Sequence, residues 1–127
     1  MTQTLQDLDG TPVLLCAPGG PPLAGEQDAL DLIGEAFGLG AHWVAVPVER
    51  LPDDFFRLRT RLAGEIVQKF ANYRLGLAVL GDIGRHLESG TALRDFVREC
   101  NEGSRVWFVE DLAQLGGRLT RTGRRGG

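Results

Sequence analysis

Hydrophobic positions follow two rhythms along the chain. Thr4 to Leu8, Pro12 to Ala17, His42 to Val48, Leu75 to Leu80 and Arg105 to Val109 are short apolar or alternating runs and predict strands. Asp9-Gly10 between the first two is a strong turn dipeptide and predicts a hairpin. The stretch APGGPPLAG that follows Cys16 is dense in Pro and Gly, and it predicts a loop. Elsewhere the apolar positions recur at intervals of three and four. Leu30, Ile33 and Phe37 mark a first helix, Glu26 to Phe37, stopped by Gly38 and Gly40. Pro52-Asp53-Asp54 opens a second that runs to about Tyr73, with Phe55, Leu58, Leu62, Ile66, Phe70 and Tyr73 as one stripe and Glu65 placed to pair with Lys69. A third starts at Ser89 or Thr91 and runs to Cys100, with Leu93, Phe96, Val97 and Cys100 facing inward. Asp111 caps a last helix carrying Leu112, Leu115 and Leu119. The order β-β-α-β-α-β-α-β-α predicts an α/β domain with a single sheet of about four or five strands, mainly parallel in its later part, and about four helices. The domain is expected over residues 1–119, with 120–127 a flexible Arg/Gly tail.

Composition narrows the function classes. A chain of 127 residues fits one globular domain. Its apolar runs fall far short of the roughly 20 residues a membrane span needs. MTQTLQDLDG lacks the basic and apolar regions of a signal peptide, so a cytoplasmic location is expected, with no membrane partner. The net charge is −3, but residues 118–127 hold four arginines and no acid, so the preceding body stands at −7. An acidic body argues against specific nucleic-acid binding. Cys16 and Cys100, His42 and His86 are isolated in the sequence, which leaves no paired-ligand spacing; no metal and no cofactor are expected.

Candidate chemistry gathers in two places. In open parallel sheets, sites lie beyond the carboxyl ends of the strands, which here carry Glu49 and Arg50, Gly81 and Asp82, and Glu110 and Asp111. Glu49, Asp82 and Glu110 are candidate acids or bases, and His86 beside Asp82 is a candidate proton carrier. Gly81 to His86 could bring backbone amides to an anion, with Arg85 offsetting Asp82, yet it is neither a GxGxxG nor a Walker loop. The second place is the start of the second helix. Arg57 and Arg61 are i,i+4 neighbours there, Arg59 points away, and all three are expected to seek acids such as Asp53, Asp54 or Glu65. Ala63 and Gly64 would let another element approach closely, leaving Glu65 at a packed seam.

The segment DFFRLRTRLAGEIVQKFANYRLGLAVLGDI, Asp54 to Ile83, resembles the family called domain of unknown function 4180, which carries FF-x-L-x-T-x-LAGEI-x-QKF-x-NY followed by an apolar strand and Gly-Asp. The resemblance continues through SGTALRDFVRECNEGSRVWFVED and back through EQDALDLIGEA, covering most of residues 10 to 119. In that family the positions of Arg59 and Gly84 are often Ser, so this chain departs from the pattern at two hydroxyl sites. The element order is also similar to STAS domains, small α/β modules that regulate partners by docking. Their Asp-Ser-Ser-Gly type motif is missing here. That likeness implies a phosphorylatable position near the start of the second helix, which by place is Thr60.

The resulting expectation is a docking domain that binds a protein partner or a second copy of itself through Arg57, Arg59, Thr60, Glu65 and Arg85. The competing expectation is an enzyme or small-molecule binder with Asp82, His86, Glu49 and Glu110 around a cleft at the strand ends.

Overall fold

The computed structural model describes residues 3–88 and 90–126, without the side chains of residues 121–126. Five strands form one sheet in the order β1-β2-β3-β4-β5: Gln3–Leu8, Thr11–Cys16, Trp43–Pro47, Gly76–Leu80 and Val106–Val109. The hairpin β1–β2 is antiparallel about Asp9 and Gly10, both at positive φ, and the remaining pairs are parallel. The helices are α1 (Glu26–Leu39), α2 (Asp53–Phe56), α3 (Leu62–Asn72), α4 (Gly84–Leu87), α5 (Thr91–Glu102) and α6 (Leu112–Gly126). The α/β class and the mixed sheet are as expected. Ser89, one of the two expected starts of the third helix, lies outside the described residues. The backbone past residue 119 continues as helix to Gly126.

Strand order equals chain order, and this decides the layering. Right-handed crossovers that always advance in one direction must put their helices on one face. Ile33 of α1, Ile66 and Phe70 of α3, and Leu93 and Val97 of α5 accordingly pack on Leu14, Val44, Val46, Leu77, Val79 and Val106. The alternate strand residues Val13, Trp43, Ala45, Ala78, Trp107 and Val109 form the other face, covered by Leu115 and Leu119 of α6. Gly76 belongs to this arrangement, because a Cβ there would collide with the Trp43 indole. Trp43 and Trp107 pack together at 4.4 Å, and the Arg118 guanidinium lies 4.2 Å over Trp107 while Nη2 donates to Asn101 O.

The expected long second helix is broken. Only Asp53–Phe56 is α-helical before Leu58–Thr60 forms a 3-10 turn, and Arg61 takes a left-handed conformation (φ 67°) before α3 begins. Thr60 explains the break. Its Oγ1 lies 2.7 Å from Asp54 O and 2.8 Å from Arg57 O, which share its single proton, and it accepts from Leu62 N–H at 3.3 Å. The hydroxyl thus closes the turn and caps α3, a competition with helical hydrogen bonding that Ser and Thr offer. The break also ends the helical register, so Arg57 and Arg61 are not i,i+4 neighbours. Tyr73, assigned to the buried stripe, is 47% exposed and meets Phe37, itself 52% exposed, edge to face.

The Pro/Gly loop is held by Arg50, the one buried charged residue among those described. Its Nε donates to Pro21 O at 2.6 Å and its Nη1 to Ala17 O at 3.0 Å, while its own carbonyl accepts from Leu23 N–H. A Cβ on Gly20 would stand 2.6 Å from the guanidinium carbon, so the loop needs glycine there.

Candidate functional site

The strand-end cluster assembles only in part. Asp82 and Glu110 line one cavity of about 270 Å³ with Gly81, Phe108 and Asn101, but neither His86 nor Glu49 reaches it. Ligand crevices in open α/β sheets form where strand order reverses and neighbouring loops splay to opposite faces. An order of β1-β2-β3-β4-β5 never reverses, so the cavity beyond β4 and β5 is not a crevice of the switch-point kind. The polar side chains at these ends serve local structure. Asp82 Oδ1 accepts from Gly84 N–H at 2.8 Å, Asp111 Oδ1 caps α6 by accepting from Gln114 N–H, and Glu49 is exposed in a 3-10 turn. His86 stacks on Phe56 at 3.8 Å, and burial, with Arg85 beside it, lowers its pKa below the usual imidazole value against the pull of Asp53. Arg85 pairs with Asp53 at 3.6 Å, which joins α4 to α2. Among the described residues no three His, Cys, Asp or Glu side chains come together as metal ligands would, and no helix is long and apolar enough to cross a membrane. Burial pushes both thiols up to about 11, which leaves Cys16 and Cys100 protonated and poorly nucleophilic at neutral pH.

The larger concavity lies on the helical face. A groove of about 570 Å³ runs beside α3, lined by Leu58, Gly64, Gln68 and Phe96, with Arg61, Glu65, Lys69 and Glu26 around it. A second hollow of about 400 Å³ lies on the other side of Leu58, between Phe56, Arg59, Ala92 and Leu93. Leu58 is the shared wall, and the break after α2 is what puts it there. Gly64 deepens the groove: nothing lies within 4 Å of where its Cβ would be. The expectation that Gly64 admits a neighbouring element and buries Glu65 is therefore corrected, since both face open space. Glu65 also does not pair with Lys69, whose ammonium lies 4.0 Å from Glu26 instead.

The arginines divide. Arg57 is paired with Asp54 at 3.2 Å, as expected. Arg59 and Arg61 are exposed and join no ion pair among the described residues, so the acids expected to hold them do not. One lines the smaller hollow and the other the larger groove. Sequence reasoning named these residues but missed Leu58, Gly64 and Phe96 as groove walls, because a continuous helix would have turned Leu58 into the core. The Thr in LRTRLAGE, followed two residues later by a helix-opening leucine, was the signal that could have marked the break.

Fold and groove together define the class: a small α/β domain on one mixed sheet, with α1, α3 and α5 and the short α2 and α4 over one face and α6 over the other. The family model described as a domain of unknown function (DUF4180) matches residues 8–119, and the chain belongs to that family. No curated protein and no solved structure matches it.

Proposed function

We propose that the domain acts by docking a segment of a partner protein in the groove beside α3. The partner's apolar side chains rest on Leu58 and Phe96, and its carboxylates meet Arg59 and Arg61. The observation that carries this reading is an open apolar trough with Arg61 at its rim and Arg59 in the adjoining hollow across Leu58, neither arginine in an ion pair among the described residues. An open groove with apolar anchors and a polar rim suits a peptide segment, whereas small-molecule sites bury most of their ligand's surface. The groove's rim also carries Glu26 and Glu65, so the attraction for a partner's carboxylates is local to Arg61 and to Arg59 across Leu58.

Gly64 makes the reading testable without harm to the fold. A side chain there fills the trough, and replacing a helical glycine is expected to add about 0.5–1 kcal/mol of stability. A photo-crosslinking residue at Gln68, on the groove, is compared in cells with one at Ala113, exposed on α6 over the opposite face of the sheet. Adducts with another protein are expected from position 68 alone and should vanish in Gly64→Leu and in the Arg59→Glu, Arg61→Glu double variant. Equal adducts from both positions, or adducts that survive both variants, would remove the groove as the working surface.

A further inference from the structure

The two edges of the sheet are treated differently. At the β5 edge the outward main chain is closed by side chains: Phe108 N–H donates to Asn101 Oδ1 at 2.7 Å and Glu110 N–H donates to Gln114 Oε1 at 2.9 Å. An edge blunted in this way cannot accept another strand without losing those bonds.

The β1 edge follows the opposite pattern. Pro12 turns its carbonyl toward β3, where it accepts from His42 N–H. Because successive residues of a strand point their main-chain groups to opposite sides, Thr11, Val13 and Leu15 face β1 and bond Leu8, Gln6 and Thr4. The groups of Gln3, Leu5 and Asp7 therefore point outward. No side chain of the described residues closes those of Leu5 or Asp7. The strand runs six residues in unbroken register with no bulge, proline or lysine, and its central Leu5 is 42% exposed. Bulge, proline and lysine are devices with which edges are normally protected, and they are absent; the one charge on the strand, Asp7, sits near its turn end and away from Leu5.

We propose that β1 is a self-association edge, pairing antiparallel with β1 of a second copy about a two-fold axis at Leu5. The strand is self-complementary in that register. Leu5 lies opposite Leu5 of the copy, Thr4 opposite Gln6, and Gln3 opposite Asp7, so no like charges meet. The outward N–H and C=O of Leu5 bond those of its counterpart, and the two sheets become one. This surface is separate from the groove beside α3 and stands independently of it.

Leu5→Pro is the selective variant. The Leu5 N–H faces away from β2, so proline removes an outward donor and spares the β1–β2 ladder, the edge position where strands tolerate it. Leu5→Lys is the second variant, placing like charges together on the axis. Sedimentation of the full chain over a range of concentrations should show a dimer whose apparent mass falls by half in both variants. A wild-type chain that stays monomeric at every concentration, or a dimer that survives both Leu5 substitutions, would overturn the proposal.

Discussion

Arg50 carries a charge into the interior and finds only carbonyl oxygens there. Pro21 and Ala17 supply them from positions 29 and 33 residues earlier in the chain, and Cys16 lies close enough for the guanidinium to moderate its raised pKa. A cation bonded to carbonyls is stabilised without a formal partner, and it ties a loop that has no secondary structure of its own to the end of β3. Removing it takes the donors from the carbonyls of exposed Pro21 and half-buried Ala17. Arg50→Met should lower stability by about 1.5–3 kcal/mol, in line with the loss of charge-assisted bonds. Gly20→Ala should lower it too, through the collision with the guanidinium. Chemical denaturation of both variants is the check, and a midpoint unchanged in either would mean that the loop does not depend on this clamp. Arg50 stands out in the sequence only as a strand-end residue. Its burial was not legible, because the partners are main-chain atoms of a distant loop and no pattern of side chains announces them.

Among the elements, the broken helix separates what periodicity can reveal from what it cannot. The stripe Leu62, Ile66 and Phe70 is buried as its spacing implies, and Phe55 is buried as well. Periodicity does not report the break between them, since a hydroxyl closing a turn leaves the apolar spacing almost unchanged. The same break makes α2 a short piece that α4 must hold through the Phe56–His86 stack and the Asp53–Arg85 pair. The stack gives α2 a dependence on acidity. His86 has a folded-state pKa below 6.5, so the unfolded chain binds the proton more readily. Its contribution is whole above the ordinary imidazole value, and stability falls as pH drops through that value toward the folded one. Comparing thermal midpoints at about pH 7.5 and about pH 5.5 should therefore show a loss on acidification that is smaller in His86→Phe, which keeps the stack and removes the proton site. An identical loss in both proteins would place the acid sensitivity elsewhere.

At the scale of the whole molecule, the class of fold was legible because alternating helical and strand rhythms leave few alternatives to a layered α/β sheet. The candidate site was legible in part: the start of the second helix was named with Arg59, Arg61 and Glu65, which line the concavities around Leu58, while the walls Leu58 and Phe96 were hidden by the assumption of an unbroken helix. At the strand ends Asp82 and Glu110 share a smaller cavity, without His86 or Glu49. The division of the core into two faces has a consequence for stability. One face is shared by α1, α3 and α5 with the short α2 and α4, and the other rests on α6, with Trp107 at its centre between Trp43 and Arg118. Trp107→Ala should cost about 3–5 kcal/mol. Hydrogen exchange should show amide protection lost from α6 well before α1, α3 and α5. Uniform loss across all four helices would show instead that the two faces form one cooperative unit.

Sequential strand order also bears on how the chain is made. A polypeptide leaving the ribosome adds each new strand beside the last, with no need to wait for a later segment to fill a gap in the middle of the sheet. The helical face can thus mature as synthesis proceeds. The opposite face cannot, because among the described residues its helical cover is α6, which follows every strand in the chain. Until α6 emerges, the nascent domain displays a pair of indoles to whatever chaperone or neighbouring chain is at hand, and the docking of α6 ends that exposure.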